Sequence, residues 1–172
     1  MIYFTSDFHF GHRGIILMQN RPFRDVQEMN GAMICNYNDI VHKTDIVYIL
    51  GDISHHMKIE ETEKILDALK GRKILIRGNH DKSYNPALFE KISDFETISV
   101  YGMYLALMHY PMLSWPKKNQ GSIQLHGHIH AGQSYNEENA ENGIRRYDVG
   151  VDANNFCPVS AEQIKRFFEV SI

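Results

Sequence analysis

The sequence is poor in cysteine, with only Cys35 and Cys157 among its 172 residues. Two cysteines cannot build a disulfide framework, and neither has the spacing of a metal-binding cysteine pair. We expect both to be small apolar side chains, buried or half-buried. Apolar runs long enough for a transmembrane helix are also missing, and a strand predicted from Ile2 leaves no place for a signal peptide. We therefore expect a cytoplasmic protein without a membrane partner.

The sequence also lacks an excess of basic charge. It has 18 Lys and Arg against 21 Asp and Glu, and its formal net charge is −3, which does not indicate a nucleic-acid partner. Hydrophobic residues make up 43% of the chain and charged residues 23%, as in ordinary globular proteins. The length suits a single domain over residues 1–172.

Histidine, by contrast, is abundant, with ten copies. Five of them belong to short clusters of acidic and histidine residues that follow apolar runs or lie in the loops beyond. The clusters are Asp7-Phe8-His9, Gly51-Asp52, Gly78-Asn79-His80-Asp81, His109 and Gly127-His128-Ile129-His130. Because parallel strands deliver their ends to one edge of a sheet, these clusters are expected to meet there.

The first half of the chain alternates between the two-residue periodicity of strands and the 3.6-residue periodicity of helices. Strands are predicted at 2–7, 45–50 and 73–77, with helices at about 25–43 and 59–70. This β-α-β-α-β order predicts parallel strands joined by right-handed crossovers.

The second half predicts a hairpin over 95–108 and further strands at 123–125 and 147–151. A polar loop is expected at 131–143, and Ser160-Ala161-Glu162-Gln163 has the pattern of a capping box that opens the last helix. The expected architecture is a two-sheet α/β sandwich with helices outside.

The clusters contain the ligand types that divalent cations prefer. In a regular strand, Asp7 and His9 would share a face. Gly51 permits a sharp turn before Asp52, whose two oxygens can each serve one cation, although Asp52 would also suit a helix N-cap. His128 and His130 can reach two adjacent cations from one strand end.

Counting these ligands gives two four-ligand sites that share Asp52 and keep room for water. One site would use Asp7, His9, Asp52 and His130; the other would use Asp52, Asn79, His109 and His128. A water bridging two such cations becomes a hydroxide near neutral pH and can attack phosphorus.

His80 is expected to have a different role from its neighbour Asn79. Adjacent residues in a turn point in different directions, so His80 is better placed as a proton donor, or as a hydrogen-bond donor to a phosphoryl oxygen. An Asx turn would explain Asn79 but not His80. His126, which precedes the glycine of its cluster, is expected in the core or behind the ligands.

The ordered set D-x-H, G-D, G-N-H-[DE], a lone H and G-H-x-H resembles the pattern of the calcineurin-like metallophosphoesterase superfamily. It runs from Asp7 to His130, about three-quarters of the chain. The resemblance implies a four-layer α/β/β/α sandwich of two mixed sheets, a two-metal site with the ligands given above, and His80 as the catalytic histidine. It further implies phosphoester hydrolysis by attack of a metal-bridging hydroxide. Mn²⁺ is the expected metal, with Ni²⁺, Fe²⁺, Zn²⁺ and Mg²⁺ as alternatives.

The chain departs from one branch of that superfamily. Its Ser/Thr phosphatases have G-D-x-x-D-R at the second block, whereas this chain has Gly51-Asp52-Ile53-Ser54-His55-His56. The missing acid and arginine argue against protein phosphatase activity. The small size and the continuation Phe10-Gly11-His12 most resemble compact bacterial or phage phosphoesterases. The expected substrate is a small phosphodiester or a nucleotide-like phosphoester.

Residues just beyond the ligand-bearing turns are candidates for binding the substrate phosphate, and simple solvation is the alternative. They are His12, Arg13, His55 and His56. Two other functions are open: a non-catalytic metal-binding sandwich that docks a protein, and a nuclease acting on nucleic-acid ends. His80 argues against the first and the net charge against the second.

Overall fold

The computed structural model describes residues 1–170, and within them nine strands form two sheets. The strands are β1 Ile2–Thr5, β2 Ile46–Ile49, β3 Arg72–Ile76, β4 Lys91–Ser93, β5 Glu96–Val100, β6 Met103–Leu107, β7 Ile123–His126, β8 Arg146–Asp148 and β9 Val159–Ser160. The first sheet has the order β4-β3-β2-β1-β9 and the second the order β5-β6-β7-β8.

In the described part of the chain, five α-helices flank the sheets: α1 Arg13–Met18, α2 Val26–Ile40, α3 Ile59–Ala68, α4 Tyr135–Glu141 and α5 Ala161–Val170. Helix α2 begins where the side chain of Asp25 accepts the backbone N–H of Glu28. At the start of α5, Ser160 Oγ accepts the N–H of Gln163 while Gln163 Oε1 accepts that of Ser160, which confirms the capping box. No helix within residues 1–170 is both long and apolar enough to cross a membrane.

Both sheets are mixed, as expected for this sandwich. Strands β1 to β4 are parallel and β9 runs antiparallel to β1. In the second sheet, β5 and β6 form the predicted antiparallel hairpin, and β6, β7 and β8 are parallel. The carboxyl ends of the parallel strands therefore lie at one edge of each sheet.

Alternating residues of the first sheet contribute to two separate cores. Tyr3 and Val47 face the core that includes the buried side of α2, whereas Phe4 and Tyr48 face the second sheet. The second core holds the inward residues of β6 and β7 together with Ile164 of α5. The last helix thus packs its apolar side against the core between the two sheets.

Some elements differ from the expectations. The segment expected as a polar loop at 131–143 contains α4, which is held because Asn136 exchanges hydrogen bonds with the backbone of Asp148. The short strands β4 and β9 and helix α1 were not predicted. The expectation for Cys35 was wrong, since its side chain is exposed, whereas Cys157 is half-buried. Cys35 lies on the solvent side of α2, whose buried side contains Met29, Met33 and Tyr37.

Candidate metal centre

All five clusters meet at the edge where the parallel strands of both sheets end. Asp7, Asp52 and Asn79 follow β1, β2 and β3 of the first sheet. His109 follows β6 of the second sheet, and the pair containing His128 follows β7. The loops of the two sheets are joined by hydrogen bonds, because the backbone N–H of His128 donates to both carboxylate oxygens of Asp7.

Five of the seven predicted ligands have a left-handed backbone, which residues other than glycine rarely adopt. Their φ angles are 58° at Asp7, 51° at His9, 55° at Asp52, 73° at His128 and 48° at His130. The convergence of Asp7 and His9 was expected from strand alternation. The structure corrects this, because β1 ends at Thr5 and both residues lie in a loop with a left-handed backbone at each.

Glycines allow the ligand loops to approach one another closely. A Cβ atom at Gly127 would overlap the side chains of Ser6 and Asp7, and one at Gly78 would overlap Asp52. The glycines of the second and third motifs are also in mutual contact, since a Cβ on Gly51 would lie 2.5 Å from the backbone nitrogen of Gly78. Any side chain at these positions would separate the ligands.

We call Asp7, His9 and His130 the first ligand group. Each offers one ligand atom, and the three atoms lie within 4.8 Å of one another. Asp7 and His9 are buried and His130 is half-buried. These three residues and the shared Asp52 are the set expected for one cation.

We call Asp52, His109 and His128 the second ligand group, whose three ligand atoms also lie within 4.8 Å of one another. Oδ1 of Asn79 lies 3.1 Å from Nε2 of His109, so the predicted amide ligand faces the same point. Asp52 and His109 are buried, whereas His128 is half-buried and Asn79 is exposed.

Asp52 connects the two groups through a single oxygen. Its Oδ2 lies 3.4 Å from Nε2 of His9 and 3.5 Å from Nε2 of His109. Its Oδ1 accepts the backbone N–H of His80 at 2.9 Å. We expected each oxygen to serve one cation, but only Oδ2 faces both groups.

Two of the ligand imidazoles, those of His9 and His109, have a ring nitrogen whose lone pair is available to a cation. Within residues 1–170, neither ring nitrogen of the buried His9 has a hydrogen-bond partner, an arrangement that costs free energy unless a ligand is bound. Nδ1 of His109 lies 2.7 Å from the carbonyl oxygen of Leu50, which can only accept, so Nε2 keeps its lone pair. The residues present therefore fit a divalent cation.

Protonation competes with metal at these groups. Burial lowers the pKa of His9 to about 3, so this ring is uncharged at neutral pH. For His109 and His130 burial acts in the same direction, but hydrogen bonds to Asp52 and Asp152 prevail and raise their pKa. A raised pKa favours the protonated ring, which cannot bind metal through that nitrogen, so metal affinity is expected to fall as the pH falls.

A buried ion pair supports the first ligand group. Nδ1 of His130 lies 2.8 Å from Oδ2 of Asp152, which directs Nε2 away from that carboxylate. Arg21 donates to both oxygens of Asp152 at 2.8 Å. The same guanidinium donates to the carbonyls of Asp7 and Phe8. The side chain of Arg21 therefore fixes both the loop after β1 and the carboxylate that orients His130.

The predicted catalytic residue, His80, lies half-buried beside the two groups, with its ring centroid 5.4 Å from that of His9 and 4.3 Å from that of His55. His12 and His55 also border the centre, with ring centroids 4.6 Å apart. Arg13 is exposed on the first turn of α1 and is not part of these clusters.

His12, His55 and His56 form what we call the outer histidine cluster, in which one nitrogen of each ring lies within 4.8 Å of the others. His12 and His55 are half-buried and His56 is exposed. Burial, and next the neighbouring His55, lower the pKa of His12 to about 4. The ring of His12 is therefore uncharged at neutral pH.

Three supporting residues were not found from the sequence. Arg21 and Asp152 are 131 positions apart and belong to no motif. Asp81 ends the third motif, but its function is visible only in the structure: its carboxylate accepts the N–H groups of Gly78, Asp52 and Ile53 and joins the loops after β2 and β3. The motif pattern could have marked Asp81, whereas nothing in the sequence marks Arg21.

The comparison with known proteins agrees with this geometry. The family model described as calcineurin-like phosphoesterase matches residues 1–149, a range that includes all seven predicted ligands. The chain is 38% identical to the uncharacterized protein MJ1445 of Methanocaldococcus jannaschii over 169 residues, which cover 98% of this chain and 91% of that protein. It is 29% identical to the gene 66 protein of Mycobacterium phage L5, with 88% of this chain and 86% of that protein covered.

A solved structure has the same fold. The protein of unknown function AQ665 from Aquifex aeolicus superposes with a TM-score of 0.76 at 28% identity, and the match covers 96% of this chain and 98% of that one. The extent of the family match and the identity to the archaeal relative lead to one conclusion: the chain belongs to the calcineurin-like phosphoesterase family.

Proposed function

We propose that the protein is a dinuclear metal-dependent phosphoesterase that hydrolyses a small phosphodiester or a nucleotide-like phosphoester. Family membership supports metal-dependent phosphoester hydrolysis in general. The observation that carries the dinuclear centre is the position of Asp52 Oδ2, within 3.5 Å of imidazole nitrogens from both ligand groups. One carboxylate oxygen between two groups of ligands can be shared by two adjacent cations.

Asp7, His9, Asp52 and His130 would hold one cation, and Asp52, Asn79, His109 and His128 the other. When bound, two such cations supply Lewis acidity toward a phosphoryl oxygen and lower the pKa of a coordinated water. Mn²⁺ is the metal we propose, because carboxylate and amide oxygens accompany the imidazoles. Ni²⁺, Fe²⁺, Zn²⁺ and Mg²⁺ are the alternatives.

His80 would act on the substrate rather than on a cation. Its backbone N–H is anchored on Asp52, and its half-buried ring lies between the first ligand group and His55. From this position the ring can donate a proton to the leaving group or a hydrogen bond to a phosphoryl oxygen. His12, His55 and the exposed Arg13 would contact the substrate phosphate.

A cavity of about 590 Å³ beside His130 supports a substrate of nucleotide size. It is lined by the ligand-supporting Asp152, the amide side chains of Gln133 and Asn155, and the ring of Phe156. Its volume lies within the range of about 300–1,000 Å³ that is usual for small-molecule sites. We propose the cytoplasm as the compartment in which such a substrate is met.

The test is hydrolysis of bis-p-nitrophenyl phosphate and p-nitrophenyl phosphate with Mn²⁺, Ni²⁺, Mg²⁺ or Zn²⁺ added. Turnover of the diester is expected, and no turnover of either compound with any metal would overturn the proposal. His80→Ala should lower turnover about 10²–10⁴-fold while metal binding is unchanged. The matched control is His42→Ala, which removes an exposed imidazole outside the centre.

A further inference from the structure

The outer histidine cluster shares no residue with the two ligand groups. Its ring centroids lie 4.6 Å apart for His12 and His55, 5.4 Å for His12 and His56, and 3.9 Å for His55 and His56. One nitrogen from each ring lies within 4.8 Å of the other two. Three donors that converge in this way are the minimum set of a protein metal site.

The backbone fixes this convergence before any ligand arrives. The chain after β1 and the chain after β2 continue to pair beyond the strands: Phe10 N–H donates to Ile53 and His55 N–H donates to Phe10, each at 3.0 Å. Gly11 brings the two loops together, because a Cβ there would lie 2.8 Å from Met57 Cβ and 3.2 Å from the carbonyl oxygen of His55. The three rings are thus carried by two loops that are paired through backbone hydrogen bonds.

His12 gives an independent indication of a missing partner. It occupies the N-cap position of α1, yet its side chain makes no capping hydrogen bond. Its Nδ1 is buried and has no hydrogen-bond partner within residues 1–170. The ring that carries this nitrogen belongs to the imidazole cluster, and a buried nitrogen without a partner costs free energy unless a ligand satisfies it.

We propose that the outer histidine cluster is a third cation site, bound by His12, His55 and His56. A set of three imidazoles without a carboxylate favours Zn²⁺, Ni²⁺, Co²⁺ or Cu²⁺ and disfavours Mn²⁺ and Mg²⁺, which prefer oxygen ligands. Three protein ligands leave coordination positions for water or for an oxygen of the substrate. The site shares no ligand with the two-metal centre, but His12 and His55 are also the proposed phosphate contacts, so a bound cation would mediate their contact with the substrate.

The test measures the number of metal ions bound per chain by equilibrium dialysis and elemental analysis of the metal-free protein. The wild type should bind three Co²⁺ but only two Mn²⁺. His56→Asn should bind two Co²⁺ and still two Mn²⁺. The affinity of this variant for the third Co²⁺ should fall by more than the roughly 10–100-fold that loss of an outer-sphere partner costs. Asn is chosen because it tolerates the left-handed backbone of His56, whose φ is 57°.

Two controls make the result specific. His42→Asn changes an exposed histidine outside the cluster and should still bind three Co²⁺. The unchanged Mn²⁺ count of His56→Asn shows that the two-metal centre is folded. The visible absorption of Co²⁺ should lose one component in His56→Asn and none in His42→Asn, a readout that requires no activity.

The inference is wrong if the wild type binds no more Co²⁺ than Mn²⁺, or if His56→Asn binds as much Co²⁺ as the wild type. Asp52→Asn separates this proposal from the proposed function. A Co²⁺ ion that survives Asp52→Asn and is lost in the double variant with His56→Asn supports the third site even if the protein hydrolyses no phosphoester.

Discussion

The two ligand groups differ in how their imidazoles are oriented. In the first group, His130 is held by Asp152, whose charge is balanced by the buried guanidinium of Arg21. In the second group, His109 is held by the backbone carbonyl of Leu50. Asn79, the fourth ligand predicted for this group, is exposed. A charged partner increases the basicity of an imidazole ligand more than a neutral carbonyl does. The first group should therefore bind its cation more tightly than the second.

The difference between the two ligand groups also indicates the order in which they bind their cations. In the first group, His130 is held by Asp152, whereas the second group includes the exposed Asn79, and the exposed Tyr110 lies against His128 with ring centroids 4.5 Å apart. We expect stepwise metal loading, with the first group filled at lower concentration, because its ligands are positioned before metal binds.

The largest expected effect comes from Asp52→Asn, which should weaken both cation sites at once. Removing the charge of the shared oxygen should lower the affinity for both cations by more than about 100-fold, the upper end for loss of a mere outer-sphere partner. Calorimetric titration with Mn²⁺ measures both steps. Asp39→Asn on the exposed side of α2 is the matched control. An unchanged first step would show that Oδ2 does not bridge.

Asp152→Asn should affect the first group alone. It removes the charge beside His130 and should weaken the tighter Mn²⁺ step by about 10–100-fold while the weaker step is unchanged. The two steps would then approach each other in the titration. If the weaker step moved instead, the assignment of the tight step to the first group would be wrong.

Asn79→Ala tests the second group with a smaller change. A neutral amide oxygen contributes less than a charged ligand and water can replace it, so we expect roughly a tenfold loss. Only the weaker Mn²⁺ step should move, which would widen the separation between the two steps. Loss of the tighter step would contradict the placement of Asn79 in the second group.

The smallest effect concerns Asp148, which lies behind the first group. Burial, and next the charge of Asp7, raise the pKa of Asp148 to about 7. An acid whose folded pKa exceeds its unfolded pKa binds its proton more tightly in the native state. Its contribution to stability is therefore fully present at low pH and is lost as the pH rises toward about 7.

Urea unfolding of metal-free wild type and Asp148→Asn from pH 5 to 7 measures this contribution. The free energy of unfolding of the wild type should fall relative to the variant, by at most about 1.4 kcal/mol per pH unit. Bound metal should make the free energy of unfolding less dependent on pH, because a cation on Asp7 offsets the charge that raises the pKa of Asp148. If the difference in unfolding free energy between the wild type and Asp148→Asn did not change with pH, the prediction would be contradicted.

The sequence predicted that the five motifs would meet, because the information for their meeting lies in short stretches of the chain. Each ligand follows an apolar strand within a few residues, so strand order alone brings Asp7, Asp52 and Asn79 to one edge. Helix α4 was missed because its polar sequence is stabilised by hydrogen bonds between Asn136 and Asp148 rather than by an apolar face. The support by Arg21 was missed because it depends on tertiary contact across 131 positions.

The left-handed backbone at five of the predicted ligands limits how far the motif can be transplanted. Each such residue costs about 1–3 kcal/mol unless the surroundings impose it. A peptide with the spacing of Asp7 and His9, or of His128 and His130, would relax to ordinary backbone angles and turn its donors apart. The ordered motifs therefore serve well for finding relatives, but an engineer who moved them to another scaffold would also have to move both sheets.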